Sequence, residues 1–275
     1  MRKITNQLSN DKIDEIFKAC FNFEKEEIKS VIEENKDIIL NESKNYEKFI
    51  PNQSDSYNLT DFPSVKAKQI KKLYTQKFTN VEGRQYYDIL IHNANGICPI
   101  CGFGEPTQLD HFISKSNYPQ LCITPSNMVP MCNSCNPPSK QTTSLKYEDL
   151  PFHAYYEEFK EQWMECKIVF IDNVIVDYIF SCEDTTLPLY KKYNNHLEAH
   201  KLKVRFKNLA IRELEPKFEL HKELLSNSPN DLLQDIIGDI NIYEKYDVND
   251  YRSALYRALR RQFDEYCVFL ESNVF

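Results

Sequence analysis

Residues 98–121, CPICGFGEPTQLDHFISKSNYPQL, are the stretch on which the reading of this chain turns. They open on a cysteine pair, Cys98 and Cys101, and a second pair with the same spacing, Cys132 and Cys135, follows further on. Two intervening residues let both sulfurs of a knuckle face one ion, and four thiolates give the tetrahedral shell that Zn2+ prefers. Gly102 stands directly after the first pair, where the turn of a knuckle needs a residue tolerant of positive φ. A four-thiolate site is coordinatively closed, so zinc at Cys98, Cys101, Cys132 and Cys135 holds the fold and does not activate water. Any chemistry must come from other residues, and those between the knuckles are the place to look.

The other cysteines agree with this reading. The chain has 275 residues and 9 cysteines, of which Cys20, Cys122, Cys166, Cys182 and Cys267 are isolated and read as core fillers. Metal ligation by close pairs fits a reducing compartment better than a disulfide framework does. No run of about eighteen apolar residues occurs, and the N-terminus lacks the apolar centre of a signal peptide, so the expectation is a soluble, cytoplasmic protein. A hydrophobic content of 41% with 17 Tyr and 17 Phe belongs to a folded chain.

Outward from the knuckles the pattern is helical. Residues 10–47 carry apolar positions at helical spacing (Ile13, Ile16, Phe17, Cys20, then Ile28, Val31, Ile32) and predict one or two amphipathic helices. A polar break ends at Pro63, after which Ser64 is positioned to cap a basic helix, and EGRQYYDILIHNA leads into the module. Beyond it, WMECKIVFIDNVIVDYIFSC predicts a β-hairpin turning at Asp172-Asn173. From Leu189 onward helix returns in pieces separated by SNSPND and YDVND, with Pro216 starting or kinking one of them. The expected layout is a helical region over 1–82, a zinc-organised module over 83–150, and a hairpin plus helices over 151–275.

Between the knuckles, Asp110-His111 interrupts a short apolar run, Asn127 precedes the second pair, and Asn136 follows Cys135 directly. In this order and spacing, CPIC, LDHF, SNMVP and CNSCN resemble the HNH endonuclease family over roughly Gly83 to Lys146. The resemblance implies an α+β, mainly helical chain whose core is a ββα-metal nuclease unit with zinc knuckles. It implies His111 as general base, Asp110 and Asn136 as ligands of a catalytic Mg2+ or Mn2+, and Asn127 as the residue that orients the loop holding His111. A neutral imidazole takes a proton from water near pH 7, and hard oxygen ligands suit Mg2+ or Mn2+ as sulfur suits Zn2+. Many family members carry a lysine three residues after the last motif position; here CNPPSK puts Lys140 four residues after Asn136, so Lys115 is the better candidate for touching nucleic acid.

Other histidines and aromatics have plainer readings. His196 and His200 lie one helical turn apart without a third ligand and read as a solvated helix face, while His92, His153 and His221 have no constellation around them. Phe152, Tyr155, Tyr156, Phe159 and Trp163 read as core packed against the hairpin.

Charge sets a condition on any nucleic-acid reading. The net charge is −7, and affinity for a polyanion comes from cations that neutralise phosphates. Basic residues concentrate at Lys66, Lys68, Lys71, Lys72 and Lys77, at Lys201, Lys203, Arg205, Lys207 and Arg212, and at Arg252, Arg257, Arg260 and Arg261, each of which alone reads as a solvated helix face. Between Ile91 and Leu150 only Lys115, Lys140 and Lys146 stand against Glu105, Asp110, Glu148 and Asp149. Basic surface from elsewhere is therefore expected, preferably from a protein partner. The overall layout is similar to nuclease subunits of Septu-like anti-phage defence systems, which implies an ATPase partner and a DNA substrate. The competing readings are a stand-alone restriction or homing-type endonuclease and a non-catalytic zinc-organised adaptor.

Overall fold

A computed structural model describes residues 2–50, 59–136, 146–171, 173–181 and 186–272 and divides the chain into two compact units. One comprises Arg2–Glu158 with Lys191–His196, the other Phe159–Tyr190 with Leu197–Phe275. The described residues are mainly helical, with two small two-stranded sheets.

In the first unit the pattern over 10–47 resolves into three helices where one or two are expected: α1 (Ile13–Cys20), α2 (Glu26–Glu34) and α3 (Lys36–Phe49). The extra break has a local cause. Asn35 leaves helical geometry, with φ −111° and ψ 9°, and its side-chain amide donates to the Val31 carbonyl at 2.7 Å, so the side chain competes with continuation of the helix. Helix α4 (Ser64–Ile70) starts where expected, but Pro63 occupies the cap position and Ser64 is already helical. A π-helical turn (Leu73–Phe78) and helix α5 (Arg84–His92) follow.

Strand β1 (Gln108–His111) pairs antiparallel with β2 (Met128–Met131), setting Asp110 opposite Val129 and His111 opposite Met128. Strand residues Leu109 and Met128 enter the same apolar core as Ile13, Ile16, Ile32 and Ile70, all buried. The N-terminal helices thus wall one side of the strand that carries His111. Burying such side chains contributes about 2 kcal/mol each, which anchors four-residue strands too short to be stable alone.

In the second unit the expected hairpin is present as β3 (Met164–Phe170) and β4 (Val174–Phe180). Helix α6 (Pro188–Ala199), of which Lys191–His196 belong to the first unit, is followed by α7 (Leu202–Leu214), α8 (Phe218–Asn227), α9 (Pro229–Glu244), α10 (Tyr251–Arg261) and α11 (Phe263–Ser272). The breaks fall at the sequence signals. Pro216 sits in a 3-10 turn between α7 and α8, Ser228 caps α9 by accepting from Asn230 N, and Asp250 caps α10 by accepting from Arg252 N.

Of the C-terminal arginines expected to form a solvated face, Arg260 and Arg261 are exposed, whereas Arg252 and Arg257 are half-buried. Arg252 pairs with Asp250, Arg257 bonds Glu244 and the carbonyls of Met164 and Val248, and Arg261 donates to the Cys166 carbonyl. The Arg257 and Arg261 guanidinium groups satisfy main-chain carbonyls, which a planar fork of donors does well. Cys20, Cys122 and Cys166 are buried as expected, Cys267 is half-buried, and Cys182 lies outside the described residues. Phe152, Tyr155, Phe159 and Trp163 are buried and Tyr156 half-buried; Phe159 and Trp163 pack together, and Trp163 meets Phe180 of the hairpin edge-on. No helix among the described residues is long and apolar enough to cross a membrane.

Candidate functional site

The two knuckles converge. The sulfurs of Cys98, Cys101, Cys132 and Cys135 lie within 4.8 Å of one another, all four residues are buried, and Cys101 and Cys132 Sγ are 3.8 Å apart. A tetrahedron with metal–sulfur bonds of about 2.3 Å has edges of about 3.8 Å, so the cluster has the size of a Zn2+ site. Backbone donors face the sulfurs as well: Gly104 N donates to Cys101 Sγ at 3.3 Å and Cys132 N to Cys98 Sγ at 3.4 Å.

Glycine geometry closes the knuckle. Gly102 has φ +80°, the left-handed conformation expected there. Gly104 is required for a different reason: a Cβ at that position would lie 2.8 Å from Cys132 Sγ and 3.0 Å from its Cβ. The backbone passes close to the metal-binding sulfurs and leaves no room for a side chain.

Beside this knot, His111 is buried at the end of β1. Its Nε2 lies 2.8 Å from the Cys122 carbonyl, which only accepts, so Nε2 carries the proton and Nδ1 carries the lone pair. Lys115 Nζ donates to that Nδ1 at 3.2 Å. The Tyr74 ring meets the imidazole edge to face at 4.5 Å and lies under the Lys115 ammonium at 5.0 Å. Burial, then the Lys115 charge, depresses the His111 pKa to about 3, against weaker upward pulls from the Cys122 carbonyl and Asp110. The ring is a neutral base with a defined tautomer.

Asn127 secures the loop that follows. Its Oδ1 accepts from Ile113 N at 2.7 Å, and its Nδ2 donates to the carbonyls of Ile113 at 3.0 Å and Leu121 at 3.2 Å. Phe112 N in turn donates to the Asn127 carbonyl at 2.8 Å. The chain that follows His111 is pinned by Asn127 through both its side-chain amide and its backbone carbonyl.

Asp110 is half-buried next to His111 on β1, and Asn136 is half-buried at the end of the turn through Cys135. Both offer hard oxygen donors. No second cluster of three or more His, Cys, Asp or Glu ligands occurs among the described residues. Lys140, and the helix expected after Asn136, fall in residues 137–145, outside the described residues.

Comparison with known proteins adds one relative. No protein-family model matches the chain, and no solved structure matches it. It is 27% identical over 151 residues to protein ea31 of Escherichia phage lambda, an alignment covering 52% of this chain and 49% of that protein. The chain therefore spans about half the length of this relative.

Two parts of the site were not legible from local sequence. The Cys122 carbonyl that sets the His111 tautomer belongs to a cysteine recognisable only as a core residue, and Tyr74 comes from the basic segment after Pro63. The expectation of a solvated face for His196 and His200 is overturned, since both are buried. His196 accepts from Phe152 N at 3.3 Å and donates to the Ile100 carbonyl at 3.0 Å, which ties the Lys191–His196 segment of the first unit to the backbone of the first knuckle. His153, which has no partner evident in sequence, meets the Tyr46 hydroxyl at 3.2 Å and packs 4.1 Å from the Phe112 ring.

Proposed function

We propose that this chain is a metal-dependent endonuclease of the HNH type, hydrolysing phosphodiester bonds in nucleic acid, with DNA the preferred substrate. The observation that carries the reading is the state of His111: a buried neutral imidazole on a short strand beside Asp110, with Nε2–H committed to the Cys122 carbonyl and Nδ1 left as the basic nitrogen. A structural histidine has no need of this pairing with an adjacent carboxylate, a pinned loop and a four-sulfur scaffold.

In this reading His111 Nδ1 takes the proton from the attacking water, and Asn127 keeps the strand end in register for that step. Asp110 and Asn136 hold a divalent ion, which when bound offsets charge on the phosphorane and on the departing 3′ oxygen. The products are a 5′ phosphate and a 3′ hydroxyl. Cys98, Cys101, Cys132 and Cys135 hold the structural zinc.

The reading extends to a protein partner, such as an ATPase of an anti-phage system, because acids outnumber cations on this chain and the segment between Ile91 and Leu150 carries only Lys115, Lys140 and Lys146. The net charge is −7, and Arg252, Arg257 and Arg261 are engaged in internal bonds. Supercoiled plasmid incubated with the purified protein, its His111→Ala variant, and Mg2+ or Mn2+ against a metal-free control tests the proposal. Metal-dependent nicking that disappears in the variant is the expected result. Cleavage that persists at full rate in His111→Ala would remove His111 from the mechanism.

A further inference from the structure

The lone pair that a general base needs is already occupied. With Nε2–H given to Cys122, the only acceptor on the His111 ring is Nδ1, and the Lys115 ammonium donates to it at 3.2 Å. Water cannot approach a nitrogen whose lone pair points into a cation. Lys115 itself is poorly satisfied there: burial pulls its pKa down, it has only the Tyr74 ring at 5.0 Å and the His111 nitrogen as close partners, and no carboxylate lies within ion-pair distance among the described residues. Lys71, on the turn after α4, likewise makes no ion pair among the described residues and is close enough to depress the Lys115 pKa further, whereas Asp110 and Cys122 pull the other way. One under-compensated ammonium, that of Lys115, therefore covers the base.

We infer that Lys115 is a latch on the base: in the free protein its ammonium covers the His111 Nδ1 lone pair, and a phosphodiester of the incoming strand frees that nitrogen by taking the ammonium as its own ligand. The inference rests on the endonuclease reading for its purpose, but the displacement itself needs no turnover. An anionic phosphate oxygen is a stronger acceptor for an ammonium than a neutral ring nitrogen, so the exchange runs downhill when substrate arrives. The consequence is a base that is competent only with a phosphate beside it. Lys115 is thus a positioning residue acting through His111, and its side chain is flexible enough to swing between the two acceptors.

The test is 15N NMR of histidine-labelled, zinc-loaded protein, with a thymidine octanucleotide as the probe and no Mg2+ or Mn2+ added, so that nothing is cleaved. In the wild type the Nδ1 resonance of His111 should lie displaced from the free lone-pair position by the Lys115 hydrogen bond and move towards it as the octanucleotide is titrated. In Lys115→Met it should start at the free position and not respond, and octanucleotide affinity should fall roughly tenfold, the loss of one charge-assisted contact. Lys115→Arg, which retains a donor, should keep the displacement and so separates the latch from a folding defect. An Nδ1 resonance that is the same in wild type and Lys115→Met, or that ignores the octanucleotide in the wild type, would overturn the latch. The plasmid assay reports separately on the nuclease reading, since wild type inactive on plasmid but showing the resonance shift would retain the phosphate-responsive latch and reject cleavage by this chain alone.

Discussion

Asn127 holds Ile113 by both of its backbone groups, accepting from the amide at 2.7 Å and donating to the carbonyl at 3.0 Å, so that one side chain takes the place of a strand partner just past the end of β1. Its third bond, to the Leu121 carbonyl, brings the loop back beside Cys122, whose own carbonyl receives His111. The position of the imidazole thus follows from an amide two residues beyond it and a carbonyl eleven residues on. Asn127→Ala would leave a buried amide and two carbonyls unsatisfied and should lower unfolding free energy by about 3 kcal/mol, measured by urea denaturation. Asn127→Asp should be no better, because it sets a carboxylate against two carbonyl oxygens.

Cys98→Ser should abolish stoichiometric zinc and unfold the first unit with it, since Cys98 both supplies a sulfur and accepts from Cys132 N. Metal content by mass spectrometry and circular dichroism on the same sample check this. One zinc per chain is expected for the unaltered protein.

Gly104→Ala adds a single methyl group, yet that carbon would lie 2.8 Å from Cys132 Sγ. The knuckle must open to admit it, so zinc should be lost to a chelator at least tenfold faster, followed with a colorimetric zinc indicator. A surface alanine elsewhere has no such effect.

Acid stability carries the signature of His111. Its folded pKa is pushed down to about 3 from an unfolded value near 6.5, so below pH 6.5 the unfolded chain takes up a proton that the folded chain refuses. The stability contributed is whole above pH 6.5 and is lost as pH falls towards 3, at about 1.4 kcal/mol per pH unit. Relative to His111→Gln, the wild type should lose about 2 kcal/mol between pH 7.5 and pH 5, read from paired urea titrations in which the zinc site is common to both proteins.

Arg257→Ala distinguishes a structural arginine from a nucleic-acid contact. Its guanidinium bonds Glu244 and the carbonyls of Met164 and Val248, so the variant should lower unfolding free energy by about 2 kcal/mol in thermal or urea melts. Affinity for an oligonucleotide should be unchanged. A fall in binding without a fall in stability would assign Arg257 to the substrate surface instead.

Much of this molecule is written in local chemistry. Cysteine spacing alone implied the four-sulfur cluster, because a two-residue gap brings two sulfurs to one side of a turn wherever it occurs. Alternation of β-branched and aromatic residues marked the β3–β4 hairpin, while Pro216, Ser228 and Asp250 marked breaks and caps among the C-terminal helices. Each of these signals acts within a few residues, so it survives without knowledge of the partner. What the tertiary structure alone decided is how distant groups satisfy one another: the Cys122 carbonyl on His111, the Lys115 ammonium on its other nitrogen, Tyr74 against its ring, His196 on the knuckle backbone, and arginines donating to strand carbonyls. Buried hydrogen-bonding groups must find partners wherever the fold brings them, and a helical pattern of charges carries no mark of which cation will be drawn in to meet that demand.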